Sequence, residues 1–323
     1  MKAIVAENYG PPESLQLKEV EKPTPKENEV LVKIHAASLN AHDFEVLGGA
    51  WTARMGRLLT SEHNILGSDV AGRVEAVGEN IEQFQPGDEI VGDLLYSGLG
   101  AFAEFVCAPE KTFTLKPASM TFEEASTYPQ AAIIALQALR DKRPIKPGDK
   151  ILINGAGGGM GTFGIQLAKN WGAEVTGVDS AMKLDMMRSI GADHVIDYME
   201  EDFTKSGQRY DVIIDTVAQR SIFKYRRTLS PNGLYVMLGG SRGAMFQAAI
   251  LGPLISRTGN KHLGINWWSK PYNKEDMDFL EELFEAGKVV PVIDKRCPLS
   301  EVPEALQYLK EGRVLGKVVI TME

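Results

Sequence analysis

The run Gly155-Ala156-Gly157-Gly158-Gly159-Met160-Gly161 constrains this chain more than any other feature. It follows an apolar strand-like stretch, Lys150 to Asn154, and opens an amphipathic helical stretch, Gly161 to Trp171. Small residues between a strand and a helix allow a tight turn and let the backbone approach a pyrophosphate. They also present the N–H groups and positive dipole end of the helix to that anion. Read as a dinucleotide fingerprint, the register is Ala156-x-Gly158-x-x-Gly161, with Ala in place of the first glycine. Asp179 stands 23 positions after Ala156, at the end of the next apolar run, where a carboxylate can accept hydrogen bonds from ribose hydroxyls. A plain turn in another α/β domain would need neither the flanking strand and helix nor that acid.

The surroundings repeat the same alternation. The pattern predicts strands at Lys150–Asn154, Glu174–Val178, His194–Ile196, Val212–Asp215 and Leu234–Leu238. Helices are predicted at Gly161–Trp171 and Lys183–Ile190. Strands alternating with helices mean a doubly wound parallel sheet. Before it, short β-prone runs such as Val30–His35 and Ala101–Cys107, broken by turns like Pro86-Gly87-Asp88, predict an all-β region. A linker helix is expected over Ala125–Leu139. After Gly264 come a helix Lys274–Ala286, a β-like run Val289–Ile293, a helix Val302–Glu311 and a strand Lys317–Thr321. That last strand has no place in the parallel sheet, so it is expected to return to the first domain. The expected boundaries are 1–122, 123–266 and 267–323.

A formal charge of −8 and a pI near 5.4 argue against a nucleic-acid binder, which needs clustered Lys and Arg to displace counterions. Nowhere do about 18 consecutive apolar residues appear, so no membrane span is expected. The start, Met1 onward, reads as lacking a signal peptide. Two cysteines, Cys107 and Cys297, cannot make a disulfide framework or a four-cysteine zinc site. Cytoplasm is the compartment these features suggest.

Several segments resemble the zinc-free, quinone oxidoreductase-like branch of the medium-chain dehydrogenase/reductase superfamily. They are Ala37–Asp43, Leu66–Gly72, Phe84–Val91 with its Pro-Gly-Asp turn, Gly100–Val106, the glycine run, Ser189–Tyr198 and Gly287–Ile320. The resemblance implies a GroES-like β-barrel catalytic domain built from both chain ends, with a Rossmann domain between them. In the zinc enzymes of the superfamily a cysteine stands three residues before a conserved Asp, and a Gly-His-Glu segment gives another ligand. Here those positions read Asn40 before Asp43, and Gly67-Ser68-Asp69. The cysteine-rich structural lobe is absent too, so no metal is expected. The five histidines, His35, His42, His63, His194 and His262, are scattered and read as surface or packing residues.

A hydride can pass to a quinone or an enone without a Lewis acid, because those acceptors are already electron-poor. The resemblance therefore implies an NAD(P)H-dependent reductase of quinones or activated alkenes and carbonyls, acting on a small hydrophobic acceptor. It places Ser38-Leu39-Asn40 at the floor of the active-site cleft, with Asn40 orienting nicotinamide or acceptor. Asp43 is the second catalytic candidate, expected as a structural hydrogen-bond partner rather than as a proton donor, and Tyr128 is a candidate proton donor. The cofactor set is Ala156, Gly158, Gly159, Met160, Gly161, Asp179, Ser180, Lys183, Tyr198, Leu238, Gly239 and Lys317. Within it, Asp179 favours NADH, whereas Ser180, Lys183 and Tyr198 fall where NADPH-using relatives hold the 2′-phosphate. Dual use of NADP(H) and NAD(H) is the expectation. Ala132 and Ile134 stand where relatives often have Gly and Thr. Leu315 stands where they often have Arg, with Arg313 or Lys317 as substitutes. The apolar stretch Met245–Ile255, followed by Trp267-Trp268, suits either an acceptor pocket or a homodimer interface. Two alternatives stay open: a metal-free alcohol or aldehyde dehydrogenase, and a nucleotide-binding protein with little catalysis.

Overall fold

The structure is a computed structural model that describes residues 1–50, 64–265 and 274–322. Trp267-Trp268 lies outside the described residues. The chain divides into two compact units. One comprises Met1–Ala131, Lys270–Gly287 and Pro291–Glu323, and the other Ala132–Ser269 with Lys288–Val290. These divisions stand beside the boundaries of 122/123 and 266/267 expected from sequence.

The first unit begins with strands β1 (Lys2–Val5), β2 (Gln16–Glu19) and β3 (Glu29–Ser38), helix α1 (Ala41–Leu47), and strands β4 (Asp69–Val77), β5 (Glu89–Asp93), β6 (Phe105–Pro109) and β7 (Phe113–Leu115). In β3 Val30, Leu31 and Val32 are buried in succession, and alternation shows only beyond them, with Lys33 exposed and His35 half-buried between buried Val32, Ile34 and Ala36. Helix α2 (Phe122–Ala125) follows, its Thr121 cap accepting from the Glu124 N–H at 3.2 Å. Helix α3 (Ala131–Arg140) then leads to the second unit. The single linker helix expected over Ala125–Leu139 is thus two helices. Pro129 has no N–H to donate and biases Tyr128 away from helical angles, which breaks the helix between them.

The second unit carries β8 (Lys150–Asn154), α4 (Gly159–Asn170), β9 (Glu174–Asp179), α5 (Leu184–Ser189), β10 (His194–Asp197), β11 (Tyr210–Asp215), α6 (Ile222–Thr228), β12 (Leu229–Met237), α7 (Arg242–Thr258) and β13 (His262–Ile265). The six strands are all parallel, in the order β10-β9-β8-β11-β12-β13. Ile151, Leu152 and Ile153 of β8 are at most 1% exposed, because a central parallel strand is covered on both faces. Residues Lys288–Val290 stay with this unit. Val290 N donates to Gln166 Oε1 at 2.8 Å, and Gln166 Nε2 donates to Val290 O at 2.9 Å.

The chain then completes the first unit, which also holds α8 (Lys274–Glu285), with β14 (Ile293–Pro298), α9 (Val302–Lys310) and β15 (Lys317–Thr321). Its main sheet runs β14-β15-β3-β4-β5-β7, with β6 also on β3. The strand expected at Val289–Ile293 begins only at Ile293. Val290 is engaged by Gln166 and Pro291 has no N–H, so pairing with β15 starts after them. β15 pairs antiparallel with β3, Val319 opposite Ser38, which brings the chain's end onto the strand that leads into Asn40.

Candidate active site

In the second unit the order β10-β9-β8-β11-β12-β13 reverses direction between β8 and β11, and ligands of such sheets bind at the carboxyl ends of the strands beside that reversal. The glycine run occupies this place. Gly155 leaves β8 with φ +84°, a left-handed conformation that costs glycine little, and a Cβ there would stand 2.1 Å from Thr216 Oγ1. A Cβ on Gly161 would lie 2.4 Å from Gly155 O, so close packing of turn on helix requires glycine there as well. Gly158 differs: it caps α4 with extended angles, and a Cβ would meet nothing nearer than Gly155 O at 3.5 Å. No side chain caps α4, so its first N–H groups are left for a ligand.

Asp215 ties the strand ends together. Its carboxylate accepts from Asn154 Nδ2 at 2.8 Å, Val217 N at 3.2 Å and Tyr235 OH at 3.3 Å. Burial pushes its pKa up, and these donors oppose the rise. Leu238 N donates to the Asp215 carbonyl at 2.8 Å and Gly239 N at 3.4 Å, placing both residues just past β12. Met160 lines a small apolar recess with Ile153, Ile214 and Thr216.

Asp179 ends β9 with its carboxylate turned toward the glycine run. It accepts from Gly157 N at 2.9 Å and from Ser180 N at 2.9 Å, and the Lys183 ammonium lies 3.3 Å away. Tyr198 N donates to the Asp179 carbonyl at 3.2 Å, and the Tyr198 side chain is exposed. Eleven of the expected cofactor residues therefore lie along one edge of one sheet; Lys317 lies in the other unit.

The first unit holds a buried polar cluster. Lys317, 2% exposed, donates to Asn40 Oδ1 at 2.6 Å, Leu39 O at 2.8 Å and Asp69 Oδ2 at 3.3 Å. Asn40 Nδ2 donates in turn to Asp69 Oδ2 at 2.9 Å and Ser68 Oγ at 3.2 Å, so both amide hydrogens have partners within the unit. Asp69 also accepts from Ser38 Oγ at 3.2 Å and Gln130 N at 3.0 Å. Asp43 Oδ2 accepts the Asn40 N–H at 2.7 Å, fixing the start of α1. Burial, with the Asp69 charge adding to it, pushes the Asp43 carboxyl up to about 7. Half-buried Asp93 is pushed to about 7 by the same two causes. For Asp69 burial raises the pKa and the Lys317 ammonium leads the opposing groups. Tyr128 is 1% exposed, its ring 4.8 Å from that of Phe284. Asp69, Gln130 and Asp93 were not among the site residues expected from sequence. Ser38, in the Ser38-Leu39-Asn40 turn, and Gly157, in the glycine run, lay within segments that were.

Residues 26–118 match the alcohol dehydrogenase GroES-like domain family, and residues 190–320 match the zinc-binding dehydrogenase family. A 2-methylene-furan-3-one reductase from Solanum lycopersicum is 35% identical over 99% of this chain and 79% of its own length. The chain belongs to the medium-chain dehydrogenase/reductase superfamily, in its quinone oxidoreductase-like branch. Two solved members of this branch have the same fold. The quinone oxidoreductase of Coxiella burnetii has a TM-score of 0.90 at 29% identity, covering 100% of this chain and 99% of that one. The quinone oxidoreductase of Escherichia coli, complexed with NADPH, has a TM-score of 0.85 at 25% identity, with 100% of each chain covered.

Zinc-dependent members of the superfamily pose a direct test of the polar cluster. Where they place ligands, this chain has the Asn40 amide and the Ser68 hydroxyl, and the neighbouring Asp69 carboxylate already faces the Lys317 ammonium. At these two positions a dication would meet an amide and a hydroxyl instead of a thiolate or imidazole, beside that fixed positive charge, so these residues do not fit zinc. Among the described residues no group of three or more His, Cys, Asp or Glu is placed to hold a metal, and no helix is long and apolar enough to cross a membrane.

Proposed function

We propose that this protein is an NAD(P)H-dependent reductase that delivers hydride to a quinone or to an alkene conjugated with a carbonyl, without a metal. One observation carries the reading: the glycine run lies at the sheet's reversal with Gly158 open on its Cβ side and the α4 N–H groups uncapped. Bound there, a reduced nicotinamide dinucleotide supplies the hydride. The chain's own residues hold it: Gly158 admits the pyrophosphate, the start of α4 meets its charge, and Asp179, Ser180, Lys183 and Tyr198 surround the adenosine ribose. In the first unit Lys317 and Asp69 fix the Asn40 amide, and we assign the acceptor site left on its Oδ1 to orienting nicotinamide or acceptor. A fixed ammonium in place of a metal suits acceptors that are already electron-poor. The tomato relative's name points the same way, since a methylene group beside a ketone is an activated alkene. Purified protein mixed with NADPH or NADH is expected to oxidise the nucleotide when a small quinone or enone is added. Oxidation of the nucleotide by an aldehyde but by neither a quinone nor an enone, or reduction of NAD(P)+ by an alcohol, would refute the assignment.

Both nucleotides are expected to serve. The Asp179 carboxylate disfavours a 2′-phosphate, while Lys183 beside it offsets that charge. Asp179→Ser should raise the NADPH-to-NADH ratio of kcat/KM by less than the roughly tenfold effect of one unscreened repulsion, because Lys183 already offsets part of that charge. An unmoved ratio, with both nucleotides bound, would show that the carboxylate does not act on the ribose.

We further propose a homodimer in the cytoplasm. Phe246, Ile250 and Leu254 recur at helical spacing on α7 and are 66%, 47% and 53% exposed, an apolar stripe that a second copy would cover. Light scattering at micromolar concentration should report twice the chain mass; monomer alone would contradict it.

A further inference from the structure

Beneath the glycine run, one residue that no other observation assigns controls where a lysine can lie. A Cβ built on Gly157 would stand 2.5 Å from Lys183 Cδ, 2.8 Å from Lys183 Cβ and 3.1 Å from Asp179 Oδ2. The space an alanine methyl would need is therefore filled by the stem of Lys183. The Lys183 side chain is 7% exposed and its ammonium lies 3.3 Å from Asp179 Oδ1, while the Gly157 N–H donates to Asp179 Oδ2 at 2.9 Å. A buried carboxylate so surrounded has its charge largely cancelled inside the protein, and removing the ammonium alone would leave it uncompensated.

We propose that Gly157 is the specificity-determining residue for NADH against NADPH: lacking a side chain, it seats Lys183 under the loop, where the ammonium cancels the Asp179 charge that a 2′-phosphate would otherwise meet. Lys183 thus acts through Asp179, and Gly157 acts through Lys183. This deepens the proposed function and rests on its nucleotide site.

Dissociation constants for NADPH and NADH, measured by nucleotide fluorescence with no acceptor present, test it without requiring turnover. Gly157→Ala should move Lys183 off Asp179 and shift the affinity ratio about tenfold toward NADH. In an Asp179→Ser background the same substitution should leave the ratio unchanged, because no carboxylate remains to be exposed. Lys183→Met provides a second route should Gly157→Ala fail to fold: it should shift the ratio toward NADH in the native background and leave it unchanged with Asp179→Ser. A shift toward NADPH, no shift, or an equal shift in both backgrounds overturns the proposal, the last by showing that Lys183 holds the phosphate directly. Failure of the unaltered protein to bind either nucleotide overturns the nucleotide reading and this inference with it, whereas binding with the wrong ratios overturns the inference alone.

Discussion

Gly158→Val is expected to fold and to lose dinucleotide binding. The two halves of that outcome have separate causes in the structure. Gly158 has φ −88° and ψ 177°, extended angles that valine adopts readily, and its Cβ direction is open to within 3.5 Å of Gly155 O. The fold should lose only the modest advantage of glycine over a β-branched residue at a helix N-cap, about 1 kcal/mol. A ligand would meet the same position differently: in the proposed site the open side is where a pyrophosphate would approach, and a branched side chain would fill it. Affinity for NADPH and NADH should fall by about 100-fold or more, equivalent to about 2.7 kcal/mol. Gly161→Ala makes the contrast. Its Cβ would collide with Gly155 O and Ala156 Cα, at 2.4 and 2.5 Å, so that variant should lose stability first. Thermal unfolding together with nucleotide titration of both variants separates the cases. A folded Gly158→Val protein with unchanged affinity would remove the glycine run from the nucleotide site.

Asp69→Leu is expected to destabilise the first unit by about 3–5 kcal/mol, the scale for breaking a buried ion pair by removing one partner. Asp69 is fully buried and Lys317 is 2% exposed, so solvent does little to compensate the ammonium left behind. Ser38 Oγ, Asn40 Nδ2 and the Gln130 N–H would also lose their acceptor. Adding Lys317→Met removes the uncompensated charge, and the double variant should be more stable than Asp69→Leu alone. Denaturant unfolding of the single and double variants measures this coupling. A double variant whose loss equals the sum of the two single losses would mean that the ammonium and carboxylate do not act as a pair.

The second unit was the more legible from sequence because its signals are local. A strand, a glycine run and a helix lie next to one another in the chain, and the expected strand Lys150–Asn154 has the same bounds in the structure. The same local spacing points to Asp179 at a strand end, where β9 has it. Its carboxylate's turn toward Gly157 was not legible in this way, because that depends on a hydrogen bond across 22 residues. The polar cluster of the first unit was much less legible. Lys317 Nζ and Asn40 Oδ1 are 277 residues apart, and only the pairing of β15 with β3 brings them together. Periodicity carries no information about such a meeting, so Lys317 read as a possible anion contact near the C-terminus. Pro129 could have been read as a helix break, but the apolar run across it masked the signal. The delayed start of β14 was hidden for a related reason. Val289 and Val290 have strand-like side chains, yet Gln166 engages the Val290 backbone.

Metal-free hydride transfer from a bound nicotinamide to an electron-poor acceptor is the chemistry proposed for this protein. Protein shown by elemental analysis to lack zinc, mixed with NADPH carrying deuterium at the transferring nicotinamide position and an α,β-unsaturated ketone, tests it most directly. Mass spectrometry and NMR of the product should find one deuterium on the former β-carbon and the carbonyl intact. Deuterium on the carbonyl carbon of an alcohol product, or reduction that appears only after zinc is added, would contradict it.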